Sequence, residues 1–230
     1  MHGAWHGAWC WATLQAELDR RGVPSYAVDL PGRGTSDELL GDLYADTARV
    51  ERALSGIGSE VVLVGHSYGG AVVTGAARDA GISAVVFLTG FALDVGETVM
   101  DIVHAHPEPE PKLAKAIVVG EDAVSVIDPA LAAGALYGSC PPAAVAAAIP
   151  RLSPHSMTSF AQPATSAPLG RIPTTYVRCT LDEGVNLPQQ DAMAERCDHV
   201  VTLETDHSPF MSAVDDVATL LQRLATEDRA

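Results

Sequence analysis

The chain has 230 residues, 47% of them hydrophobic and 19% charged. That is enough apolar material for one large globular domain and too much for a disordered chain. The 29 acidic residues against 14 Lys and Arg leave a net charge of −15, which excludes nucleic acid and an anionic membrane surface as partners, since both need a basic face.

The start, MHGAWHGAWCW, has neither the basic residues nor the smooth apolar stretch of a secretory signal, and no apolar run reaches the roughly 20 residues of a membrane span. Residues 9–21 have a helical pattern ending at Gly22, and 25–30 (SYAVDL) form the first strand candidate, closed by Pro31 and Gly32. A helix is predicted over 42–54, with Leu43, Val50 and Leu54 on one face. Residues 60–65 (EVVLVG) are nearly all apolar, as in a strand buried on both faces, and 67–80 read as a helix of small apolar residues. Further strands are predicted at 84–89, 174–179 and 199–204, and further helices at 187–196 and 214–224. Strand–helix alternation of this kind means an α/β fold with a mostly parallel sheet covered on both faces.

Residues 92–170 break the rhythm. They carry several Pro breaks, the run HPEPEP, an Ala-rich stretch and no convincing core strand. About 80 inserted, mostly helical residues between two strands imply a cap (lid) set into a core made of 1–91 and 171–230. Cys10, Cys140, Cys179 and Cys197 are scattered with no CxxC pair, so neither a zinc site nor a disulfide framework is expected, and reduced thiols in a cytoplasmic protein are.

GHSYGG at 65–70 matches G-x-S-x-G between a strand and a helix, the setting in which a sharp turn holds a serine hydroxyl at the carboxyl end of the sheet. Ser67 is the candidate nucleophile. A serine hydroxyl needs a base. Of the eight histidines, His207 is best placed, in a loop between the strand 199–204 and the last helix. His66 should point away from the turn, His199 lies at the wrong end of the sheet, and His104, His106 and His155 belong to the insertion. The imidazole needs an acid to fix its tautomer. Asp182 lies just past the strand 174–179, with Glu183 and Asp206 as rivals. The order Ser67, Asp182, His207 is that of strand–turn–helix serine hydrolases. The backbone N–H groups of Tyr68, after the nucleophile, and Ala4, in the HGAW loop, are the candidate oxyanion donors. Gly3, Phe91, Met100 and Tyr137 are candidate pocket residues by location.

HGAWHGAWCW, DLPGRGTSD, VVLVGHSYGG, TYVRCTLDEGVNLP and TDHSPFMS together resemble the α/β-hydrolase superfamily, and within it the branch of plant methyl esterases, salicylate-binding esterases, hydroxynitrile lyases and bacterial relatives. The resemblance implies the same five site residues, no cofactor and no metal. It implies a small ester as partner and leaves a homodimer open. Hydroxynitrile lyases of this branch carry Lys after the catalytic His and Thr in the first oxyanion loop, where this chain has Ser208 and Gly3. Ester hydrolysis is therefore expected, with lyase or tailoring chemistry on the same triad, or a non-catalytic receptor, as alternatives. Relatives have a strand running into the HG loop where this chain has Met1, so the middle of the sheet is expected either to keep two unpaired edges, or to close by direct pairing of the neighbouring strands, or to be filled by another segment.

Overall fold

The computed structural model describes residues 1–57, 60–78 and 81–227. The apolar runs become β1 (Val61–His66) and β2 (Ile82–Leu88). After a small antiparallel sheet, β3 (Ile117–Val119), β4 (Val124–Ile127) and β5 (His155–Ser156), the core resumes with β6 (Thr174–Cys179) and β7 (His199–Leu203). The helices in chain order are α1 (Ala12–Arg20), α2 (Leu43–Leu54), α3 (Tyr68–Ala76), α4 (Val99–Ala105), α5 (Lys112–Ala116) and α6 (Pro129–Leu136). They continue with α7 (Pro142–Ala148), α8 (Thr158–Ala161), α9 (Leu187–Ala194), α10 (Pro209–Ser212) and α11 (Val214–Glu227). The end of the helix predicted over 67–80 falls at 79 and 80, outside the described residues.

The core sheet has the order β1-β2-β6-β7 and is parallel throughout. Its side chains alternate between two apolar layers. Leu63, Val85, Phe87 and Tyr176 pack with α2, α3 and α9 on one face, while Val86, Leu88, Val177 and Cys179 pack with α1 and α11 on the other. Parallel strands align their carboxyl ends, so the segments after β1, β2, β6 and β7 emerge at one rim, where such sheets place ligands.

Two expectations need correction. Residues 25–30 are extended but form no strand. A strand exists only through its ladder, and between 25–28 and β1 lies a cavity of about 290 Å³, lined by both edges and by Leu14, Leu18, Leu221 and Leu224. The neighbouring segments therefore do not close up. Only the main chain of Met1 bonds to that edge of β1 among the described residues: its amino group donates to Val64 O, and His66 N donates to Met1 O at 3.0 Å. The insertion also holds the three-stranded sheet β3-β4-β5, which the reading as mostly helical missed. Its strands are two to four residues long, too short for a period to register, and Val118, Val119 and Val126 face outward.

Candidate active site

The site is built from rim loops. β1 runs through His66 into Ser67, and α3 starts at Tyr68. Ser67 has φ 51° and ψ −127°. A side-chain-bearing residue in that left-handed conformation is strained by about 1–3 kcal/mol, which packing on both sides must offset. The turn is pinned by Gly70 N and Phe91 N, donating to Ser67 O at 2.8 and 3.0 Å. The HGAW loop lies against it: a Cβ on Gly3 would fall 3.0 Å from Ser67 Cβ.

His207 follows β7, and its Nδ1 lies 2.9 and 3.0 Å from the two carboxylate oxygens of Asp182. Asp182 Oδ1 also accepts from Gly184 N (2.6 Å) and Val185 N (2.9 Å), and Oδ2 from Thr89 Oγ1 (2.5 Å). Four donors thus hold the carboxylate in one orientation. A proton on Nδ1 facing the carboxylate leaves Nε2 as the ring's acceptor. Gly184 is required by close approach, since a Cβ there would sit 2.6 Å from His207 Nδ1. All three side chains are buried, at 6% exposure for Ser67, 9% for Asp182 and 2% for His207. Ser67 Oγ makes no hydrogen bond among the described residues, and in an unliganded site such contacts commonly tighten only with substrate.

The rivals are engaged elsewhere. Glu183 pairs with Lys112 at 2.9 Å on the surface. Asp206 accepts from Ser139 N, Cys140 Sγ, Ser208 N and Ser212 Oγ, which fastens the His207 loop to the insertion. His66 turns from Ser67, and its Nε2 donates to the His207 carbonyl at 2.7 Å. His155, on β5, packs edge-on to the Tyr68 ring. Burial lowers the pKa of His66 and His155 well below the usual histidine value, so both are neutral at pH 7.

Ala4 and Tyr68 are buried, and their backbone N–H groups donate to nothing among the described residues. Buried N–H groups without a partner are rare. Tyr68 N is the first amide of α3, where no intrahelical acceptor exists. Of the four pocket candidates, Gly3 and Phe91 touch the Ser67 turn. Met100 packs against the core cluster, and Tyr137 is buried with its hydroxyl on His6.

Sequence reasoning missed Thr89. It also missed the buried network under Tyr68, whose hydroxyl donates to Asp46 Oδ2 (2.7 Å), itself paired with Arg33 Nη1 at 2.8 Å. Thr89 follows the carboxyl end of β2, so the rim rule could have found it. Arg33, Asp46 and Tyr68 share no pattern in the sequence.

A family model described as "Alpha/beta hydrolase family" matches residues 1–220, and the chain belongs to that family. Salicylic acid-binding protein 2 of Nicotiana tabacum is 30% identical over 205 residues, 80% of this chain and 78% of its own. The pFDCC methylesterase MES16 of Arabidopsis thaliana is 28% identical over 253 residues, 97% of this chain and 92% of its own. A crystal structure of the Arabidopsis MES16 protein superposes with a TM-score of 0.81 at 27% identity, covering 98% of this chain and 97% of that one. These relatives support the methylesterase-like branch within the family.

Proposed function

We propose that the chain is a carboxylic ester hydrolase that cleaves a small ester, of the methyl or aryl kind, through an acyl-enzyme on Ser67. His207 Nε2 takes the proton of Ser67 Oγ as the hydroxyl attacks the ester carbonyl. Asp182 holds the ring and stabilises its cation. The N–H groups of Ala4 and Tyr68 receive the oxyanion of the tetrahedral intermediate. Collapse expels the alcohol, which takes the proton back from His207, and water then releases the acid by the same steps. No step needs a cofactor or metal. The observation that carries the reading is the buried Asp182–His207 pair and the left-handed Ser67, which follow strands of one parallel sheet at the same rim, together with the undonated N–H groups of Ala4 and Tyr68. The names of the relatives, a methylesterase among them, support an ester as substrate.

Residues 92–170 act as a cap over the 1–91 and 171–230 core, with Gly3 and Phe91 nearest the reacting carbon. The four free cysteines fit a reducing, cytoplasmic setting, and among the described residues no helix is long and apolar enough to cross a membrane. The test is Ser67→Ala against a p-nitrophenyl ester. Turnover should fall on the order of 10³-fold or more, and labelling by a fluorophosphonate should vanish. A variant that keeps wild-type turnover refutes the mechanism.

A further inference from the structure

The loop that presents Ala4 is irregular, and its shape is imposed from outside. Two imidazoles clamp the two peptide planes that flank the Ala4 Cα. His2 Nδ1 lies 2.8 Å from Gly3 O, and its Nε2 accepts from Leu30 N at 3.2 Å. His6 Nδ1 lies 2.8 Å from Ala4 O. A carbonyl only accepts, so Nδ1 of His6 carries the hydrogen, and Nε2 of the neutral ring is an acceptor. At 2.8 Å from that nitrogen is the Tyr137 hydroxyl, which must be the donor. One clamp is therefore anchored in the core and the other in the insertion, on the residue that follows α6. The insertion holds the next residue as well: Trp5, at φ 59°, donates from Nε1 to Ser125 Oγ at 3.0 Å and accepts at its carbonyl from Ser153 N at 2.8 Å.

We propose that Tyr137 is a positioning residue for the oxyanion site. Through His6 it fixes the Ala4–Trp5 peptide, one of the two planes that meet at the Ala4 Cα, and so keeps the Ala4 N–H aimed at the oxyanion that forms beside Ser67. The cap then completes the oxyanion site as well as covering it. This rests on the oxyanion role given to Ala4 above. A hydroxyl that lined the substrate pocket would act on binding, whereas one spent on His6 acts on the transition state.

The experiment compares Tyr137→Phe with the wild-type chain on a p-nitrophenyl ester and on a trifluoromethyl ketone, which forms a tetrahedral oxyanion adduct with a serine. Loss of a whole oxyanion donor costs about 10²–10³ in rate, so a loosened one should cost about tenfold in kcat. KM should stay within about twofold, and affinity for the ketone should fall by the same factor as kcat. Wild-type kcat and ketone affinity in Tyr137→Phe overturn the proposal. So does a raised KM at unchanged kcat, which would make Tyr137 a substrate contact. If Tyr137→Phe does not fold, His6→Gln, whose amide can donate to Ala4 O and accept from Tyr137, should retain more kcat than His6→Leu, and equal kcat in the two overturns it. Ser67→Ala separates the two failures: if that variant stays active the ester-hydrolase reading falls, and if it is dead while Tyr137→Phe is unaffected only the positioning role falls.

Discussion

His2, His6, His66 and His155 are all buried, and two of them are locked into a tautomer by using one nitrogen as donor and the other as acceptor. Burial, the largest cause in each case, lowers His2 to a pKa of about 3 and His6 to about 4, and puts His66 and His155 well below the ordinary 6.5. The unfolded chain takes up protons at these four residues as pH drops through 6.5, and the folded chain refuses them until much lower pH. The contribution of these four residues is therefore full above 6.5 and lost below it. Four protons of difference give a slope of about 5 kcal/mol per pH unit near pH 5. The Met1 amino group, lowered from 8.0 to about 5 by burial, adds up to one proton between those values. Asp46, raised by burial, offsets at most one in the same region. Against a typical total of about 5–15 kcal/mol, the fold should be lost within one to three pH units below 6.5. Urea unfolding at half-unit steps from pH 8 to 5 measures the slope. A value under about 1.4 kcal/mol per unit between pH 6 and 5, one proton or fewer, would refute the account of these histidines as neutral members of the core.

Two further outcomes follow from single contacts. Gly184→Ala puts a methyl carbon 2.6 Å from a ring nitrogen that Asp182 holds in place, so the ring must shift: kcat should drop at least about tenfold, read by esterase assay, and a melting curve should register a loss of about 1–3 kcal/mol from the crowding. Arg33→Met leaves the Asp46 carboxylate buried beside Tyr68 without its cation, and chemical denaturation should register a loss of about 3–5 kcal/mol.

What the chain reveals in advance depends on how local the cause is. Ser67, Asp182 and His207 are legible because each follows a strand whose apolar run is visible, and a parallel sheet brings the ends of such strands to one rim. The helix starts at Asp42 and Asn186 are legible for a similar reason, since each side chain accepts from amides two or three residues on. Residues 25–30 mislead because their alternation satisfies a strand's local requirements, whereas the ladder depends on a neighbour. The contacts of Arg33 with Asp46, of Thr89 with Asp182 and of Tyr137 with His6 span 13, 93 and 131 residues, and no local pattern encodes them. Asp206 is a rival acid only by its closeness to His207 in sequence, and that adjacency turns its carboxylate to Ser139, Cys140, Ser208 and Ser212 and not to the ring.

The open outer edge of β1 sets an order of events on heating. The strand that delivers Ser67 is laddered to β2 on one side and touched on the other by Met1 alone among the described residues, so its main chain should exchange hydrogen faster than that of β2 or β6, each of which is laddered on both sides. A local opening there would let the left-handed turn at Ser67 relax while the rest of the sheet holds. Loss of activity should accordingly run ahead of loss of structure as temperature rises, and it should be reversible up to the point at which β2 and β6 part.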